Sequence, residues 1–183
     1  DAGPLRYTGG LFYVATERDR FTNVEIIPFA MNLLADTHDD NTAWAAFAQV
    51  NYDITEDFEL TVAGRYDVDN REQTNNLVAP ADPLYVVSEE FTMFQPKVSL
   101  AYSLAPDMTL YATAAQGFRS GGFNTPGPAF DRIYDSEETT NYEVGLKSIL
   151  FDGRLTLNAA LYSIIYENQQ VQLLDLGTGQ QGI

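Results

Sequence analysis

Apolar and polar residues alternate with period two along much of this chain, most clearly from Thr139 to Tyr166. Tyr142, Val144, Leu146, Ser148 and Leu150 share one face of an extended segment there, and Glu143, Gly145 and Lys147 share the other. A second alternating run follows Phe151-Asp152-Gly153-Arg154, and Asp-Gly between two such runs predicts a β-hairpin. Each arm is at least twice the usual strand of about 5–6 residues.

The same pattern predicts further strands over Leu5–Thr16, Thr42–Ile54, Phe58–Asp67, Phe91–Leu104 and Met108–Phe118, giving seven in all with the hairpin. In the second of these Trp44, Ala46, Ala48, Val50, Tyr52 and Ile54 lie on one face, with Phe47 the apolar exception on the other. Pro96 falls on an otherwise apolar face and predicts a bulge or an edge. The connections alternate in length. Long ones are expected over 18–41, 69–90 and 119–137, with a short helix in the first, beginning at Pro28 (PFAMNLLAD). Short turns are expected at 55–57, 105–107 and 151–153. One decorated end and one trimmed end is the asymmetry of an outer-membrane β-barrel.

Aromatic spacing points the same way. Trp44 and Tyr52, Phe58 and Tyr66, and Phe94 and Tyr102 are each eight residues apart on the apolar face. At about 3.3 Å per residue and a tilt near 40°, that interval spans roughly 20 Å along a bilayer normal. These six residues are expected to be membrane-interface aromatics, because amphipathic rings suit the headgroup level. A soluble all-β binding module also alternates, with its apolar face as a core, but needs neither this strand length nor this interval.

Composition narrows the classes. The chain has 183 residues, 45% of them hydrophobic, which excludes disorder and suffices for one domain. No apolar run reaches the ~18 residues of a transmembrane helix, a limit that does not apply to barrel strands. A net charge of −16 argues against nucleic acid as a partner. The absence of cysteine removes disulfides, thiolate metal sites and cysteine nucleophiles.

Leu110–Asn124 (LYATAAQGFRSGGFN) and Ser136–Gln172 resemble the barrel of TonB-dependent outer-membrane receptors of the siderophore type, and Ala46–Asp69 is similar to an earlier hairpin of the same barrels. The resemblance implies an all-β antiparallel meander in the outer membrane of a Gram-negative bacterium, one internal segment of the barrel domain spanning 1–183. The plug domain, through which the TonB system would act, lies outside it. It also implies outer-membrane lipid and a ferric siderophore or similar small ligand as partners. Seven strands are too few to close a cylinder, so a curved open sheet is expected. The alternative within the membrane is a small eight-stranded barrel.

Candidate chemistry is sparse, and neither a catalytic residue nor a cofactor is assigned. GTGQQG (Gly177–Gly182) matches a dinucleotide-binding spacing but lacks the following helix and acidic residue. Asp36, His38, Asp39 and Asp40 form the only cluster of histidine with carboxylates, and the EF-hand spacing fails there. The polar-face charges Glu59, Arg65, Asp67, Lys97, Glu143 and Lys147 are expected to pair across strands. Arg119, Phe123 and Asn124, where the fifth strand meets its loop, are the candidate ligand-binding residues, Arg119 because a guanidinium matches anionic oxygens.

Overall fold

The computed structural model describes residues 3–26, 31–83, 85–125, 129–175 and 181–183. Seven strands form one antiparallel sheet: β1 (Leu5–Ile26), β2 (Met31–Asp53), β3 (Phe58–Asn75), β4 (Val86–Ala105), β5 (Met108–Arg119), β8 (Glu137–Leu150) and β9 (Leu155–Glu167). Two short ladders accompany them. β6 (Gly122–Phe123) pairs with β7 (Ile133–Tyr134), and β10 (Leu173–Leu174) with β11 (Gln181–Gly182). The seven strands lie side by side in chain order, with the short β6–β7 ladder inserted between β5 and β8, and β1 and β9 are the two edges. The expected seven-stranded open meander is therefore what forms.

The expected loop over 18–41 does not. β1 and β2 pair continuously from Leu5↔Tyr52 to Ile26↔Met31. The part of the expected helix from Met31 to Asp36 is strand, while residues 28–30 lie outside the described set. The connection after β3 likewise shrinks from 69–90 to 76–85. The cause is physical: beyond the apolar band both faces of a strand meet water, so alternation fades while the backbone ladder continues. Arg18↔Asp39 and Asp19↔His38 are directly opposed there, favourable charges on both faces.

Pro96 marks an edge rather than a bulge. The β4–β5 ladder begins at Lys97↔Ala115, while β4 continues past Pro96 against β3 alone. The register shift lies instead at Ser103/Ala105. The turn between β8 and β9 holds Phe151, Asp152 and Gly153 at φ of 54°, 55° and 84°.

The faces differ sharply. Of ten lysines and arginines, Arg132 and Arg154 lie outside the seven strands, and the remaining eight (Arg6, Arg18, Arg20, Arg65, Arg71, Lys97, Arg119, Lys147) all share one face. The other face carries no lysine or arginine, and its described acids (Glu17, Asp19, Asp36, Asp40, Glu72, Glu90, Glu138, Glu167) cluster toward the long-loop end. Below them runs an uncharged apolar band. Trp44, Tyr66 and Phe94 form a row at its upper edge, and Tyr52, Phe58 and Tyr102 one at its lower edge. These side chains are exposed apart from the half-buried Phe58, and among the described residues the buried apolar ones are few: Ala45, Val68 and Phe91. A sheet this long with so little core hides its apolar face in something other than itself.

Candidate functional site: a polar-face cavity under the β5–β8 loop

Arginines at every second position of a strand project to the same side, so Arg18 and Arg20 of β1 stand together on the polar face. Register places Asp39 and Asn41 of β2 and Asp69, Arg71 and Gln73 of β3 beside them. The loop after β5 folds over this patch and contributes Gly122, Phe123 and Tyr134, enclosing a cavity of about 420 Å³. That volume falls within the range of about 300–1,000 Å³ typical of small-molecule sites.

The charges in the cavity are unequally paired. Arg71 contacts Asp69 at 2.9 Å, and Arg20 approaches Asp39 at 3.8 Å. Asp39 is better served by Gln73, whose Nε2 donates to Oδ1 at 2.6 Å. Among the described residues Arg18 has no ion pair or hydrogen bond from its side chain. An unpaired guanidinium on a cavity wall suits an anionic oxygen.

The roof is held by Arg132. Its guanidinium lies 5.7 Å from the centroid of the Phe123 ring, and Nη2 donates to Gln73 Oε1 at 2.8 Å. Nη1 donates to the carbonyl of Asn124. Burial lowers the pKa of this guanidinium from its usual value, with the nearby charge of Asp39 acting the other way. Gly121 and Gly122 allow the close packing: a Cβ on Gly121 would meet the Tyr134 carbonyl at 2.2 Å, and one on Gly122 the Tyr134 hydroxyl at 2.5 Å.

The three candidate ligand residues separate. Phe123 lines the cavity. Asn124 lies behind it at 3% exposure, with its side chain fully hydrogen-bonded. Arg119 ends β5 opposite Glu137, outside the cavity lining. The sequence reading missed Arg18, Arg20 and Arg71, which it had placed in or beside loops. Their i, i+2 spacing with Thr16 and with Asp69 and Gln73 was the available signal.

Lower on the same face Arg65 pairs with Asp67 along β3 (2.7 Å) rather than across strands, and the cross-strand partner of Asp67 is the neutral Gln95 of β4 (2.6 Å). Tyr111 bridges Glu143 and Lys147, donating to the first and lying 5.3 Å beneath the second. The cluster of His38 with carboxylates is split by the strand: Asp39 faces the cavity, whereas Asp36, His38 and Asp40 face the opposite side. Of Gly177–Gly182, only Gln181 and Gly182 are among the described residues, in β11.

With this architecture in view, the family described as TonB dependent receptor-like, beta-barrel, matches residues 3–182. The chain belongs to that family. Among its curated relatives are the metal-pseudopaline receptor CntO of Pseudomonas aeruginosa, 28% identical over 82% of this chain, and the ferric-pyoverdine BN7/BN8 receptor of Pseudomonas putida, 23% identical over 79%. The structure of the ferric yersiniabactin uptake receptor FyuA from Yersinia pestis superimposes with a TM-score of 0.77 at 19% identity, over 93% of this chain and 27% of that one. The chain spans about a fifth of the length of the curated relatives it matches (19% and 18%). As a TonB-dependent receptor barrel it belongs to the outer membrane of a Gram-negative bacterium, and its family is one of receptors rather than enzymes. Its polar face is accordingly the lumen face.

Proposed function

We propose that this chain is one segment of the barrel domain of an outer-membrane receptor that takes up a ferric siderophore. The observation that carries this reading is the arginine-lined cavity on the lumen face, roofed by Phe123. On a chain of net charge −16, every strand cation points inward, so the lumen is where an anionic chelate meets favourable charge. The relatives' names supply the ligand class: receptors for metal–pseudopaline, ferric pyoverdine and ferric yersiniabactin.

The parts then take distinct roles. The uncharged band faces lipid, and the two aromatic rows sit at its interfaces. Arg18 and Arg71 hold anionic oxygens of the ligand, Phe123 covers its organic portion, and Arg119 steers it at the rim. Energy for transport comes from the TonB system through a plug domain carried by the rest of the protein, and no catalytic step is involved.

The test uses the full-length receptor in a strain that lacks its own siderophore receptors and grows on limiting iron. Radiolabelled iron is supplied as a panel of catecholate, hydroxamate and mixed chelates. Uptake of at least one chelate, abolished by deleting the gene for TonB, is the expected result. A receptor that is present in the outer membrane yet imports none of them would overturn the reading.

A further inference from the structure

The loop that roofs the cavity is also tied to a second, distant stretch of chain. Asn124 Nδ2 donates to the carbonyls of Asp131 (2.7 Å) and Ile183 (3.2 Å), and its Oδ1 accepts from the N–H of Ile183 at 2.9 Å. Its backbone N–H donates to Arg132 O at 2.9 Å. Every polar atom of a nearly buried side chain is thus committed, to groups 7 and 59 residues away. A buried amide satisfied this completely is costly to disturb, because each carbonyl it leaves behind loses its partner.

The contact continues in both directions. Beyond Ile183, Gly182 packs so close to Phe130 that a Cβ there would lie 2.4 Å from the ring. Toward the wall, Arg132 passes the tie to Gln73, and Gln73 to Asp39, on strands β3 and β2. Gln170 makes a separate tie at the base, donating to the carbonyls of Ser120 (2.9 Å) and Asp135 (3.1 Å). The base would therefore stay joined if the outer contact opened.

We propose that Asn124 is an interloop latch: a positioning residue that fastens Ile183, beside the β10–β11 ladder, to the β5–β8 loop that roofs the cavity, so that the loop and this end of the ladder move as one body. Arg132 and Gln73 fix that body to the wall, which seats Phe123 over the arginines. No ligand contact by Asn124 is needed. The inference rests on the cavity being the ligand site only for what the loops enclose.

Two ligand-free measurements on the full-length receptor in outer-membrane vesicles test it. In Asn124→Ala, amide hydrogen exchange at 121–125, 131–135 and 181–183 should accelerate together by at least tenfold. Residues 169–172, held by Gln170, and strand β3 should be unchanged. Asn124→Ser, which keeps an acceptor for Ile183 N–H, should show a smaller effect and guards against gross misfolding. In the second measurement a cysteine placed by Ala43→Cys, on the cavity lining, reports access to the cavity. Its labelling by a charged maleimide should rise at least tenfold when Asn124→Ala or Gln73→Leu is added. Acceleration confined to 121–135, or unchanged labelling at position 43, would overturn the latch. Neither result depends on which ligand, if any, is transported.

Discussion

Trp44 of β2 and Tyr66 of β3 meet on the outer face with ring centroids 6.0 Å apart and planes at 58°. The pair lies in one aromatic row, and Phe58 with Tyr102, at 6.4 Å and 62°, lies in the other. Tilted pairs of this kind contribute about 0.5–1.5 kcal/mol beyond their buried area. A double-mutant cycle of Trp44→Ala and Tyr66→Ala, read by urea unfolding of the full-length receptor in lipid vesicles, should return a coupling energy in that range. Additive effects would mean that each ring is held by lipid alone.

Gly145 has no side chain because Tyr111 lies across it. The two are opposed in register, and a Cβ on Gly145 would be 2.6 Å from the ring. Gly145→Val should displace the ring from Glu143 and Lys147 and destabilise the wall by about 1–3 kcal/mol, the usual cost of overpacking. The same unfolding assay measures it. Tyr111→Ala in the valine background should recover part of the loss, since the clash then disappears.

The turn between β8 and β9 depends on left-handed backbone. Gly153 at φ +84° has open space around it, so only its conformation matters. Gly153→Ala should cost about 1–2 kcal/mol through the left-handed penalty. Gly153→Asn should cost less, because asparagine tolerates that region better. Refolding rates into detergent micelles would show both.

His38 is expected to confer a small pH dependence on the outward extension of β1 and β2. Its Nδ1 lies 2.7 Å from Asp19 Oδ1, and this hydrogen bond raises its pKa above the ordinary 6.5, with added charge from Asp40 and Glu17. A raised folded pKa means the contribution is complete below about 6.5 and is lost as pH climbs through the folded value. Proton exchange of amides in 15–22 and 35–42 should therefore quicken as pH rises across neutrality, after correction for intrinsic rates. His38→Gln should remove that dependence.

Arg18 offers the functional prediction. Loss of one charge-assisted hydrogen bond to a ligand costs about 1.5–3 kcal/mol, or roughly tenfold or more in affinity. Arg18→Ala should weaken uptake of an anionic ferric chelate by at least that factor without lowering the amount of receptor in the membrane. Arg65→Ala, in a pair with Asp67 deeper in the lumen, should change uptake less.

What the sequence revealed depended on where lipid lies. From Trp44 to Tyr52 one face is apolar and the other is not, so strand and register could be read residue by residue. Around Arg18–Arg20 and Asp36–Asn41 both faces carry polar residues, and those parts of β1 and β2 looked like loop. The cavity suffered from this directly, since Arg18, Arg20 and Arg71 all sit above the apolar band. Phe123 was found because it stands where the fifth strand gives way to its loop. The burial of Asn124 was not legible: its main partner, Ile183, is 59 residues away, and nothing local announces that contact.

The strand lengths have a further consequence. β1 and β2 have 22 and 23 residues, β8 and β9 only 14 and 13. At about 3.3 Å per residue, the first pair is longer than the last by roughly 30 Å. The rim is thus cut on a slant, tall where hydrogen-bonded ladder carries it and low where side chains tie loops together.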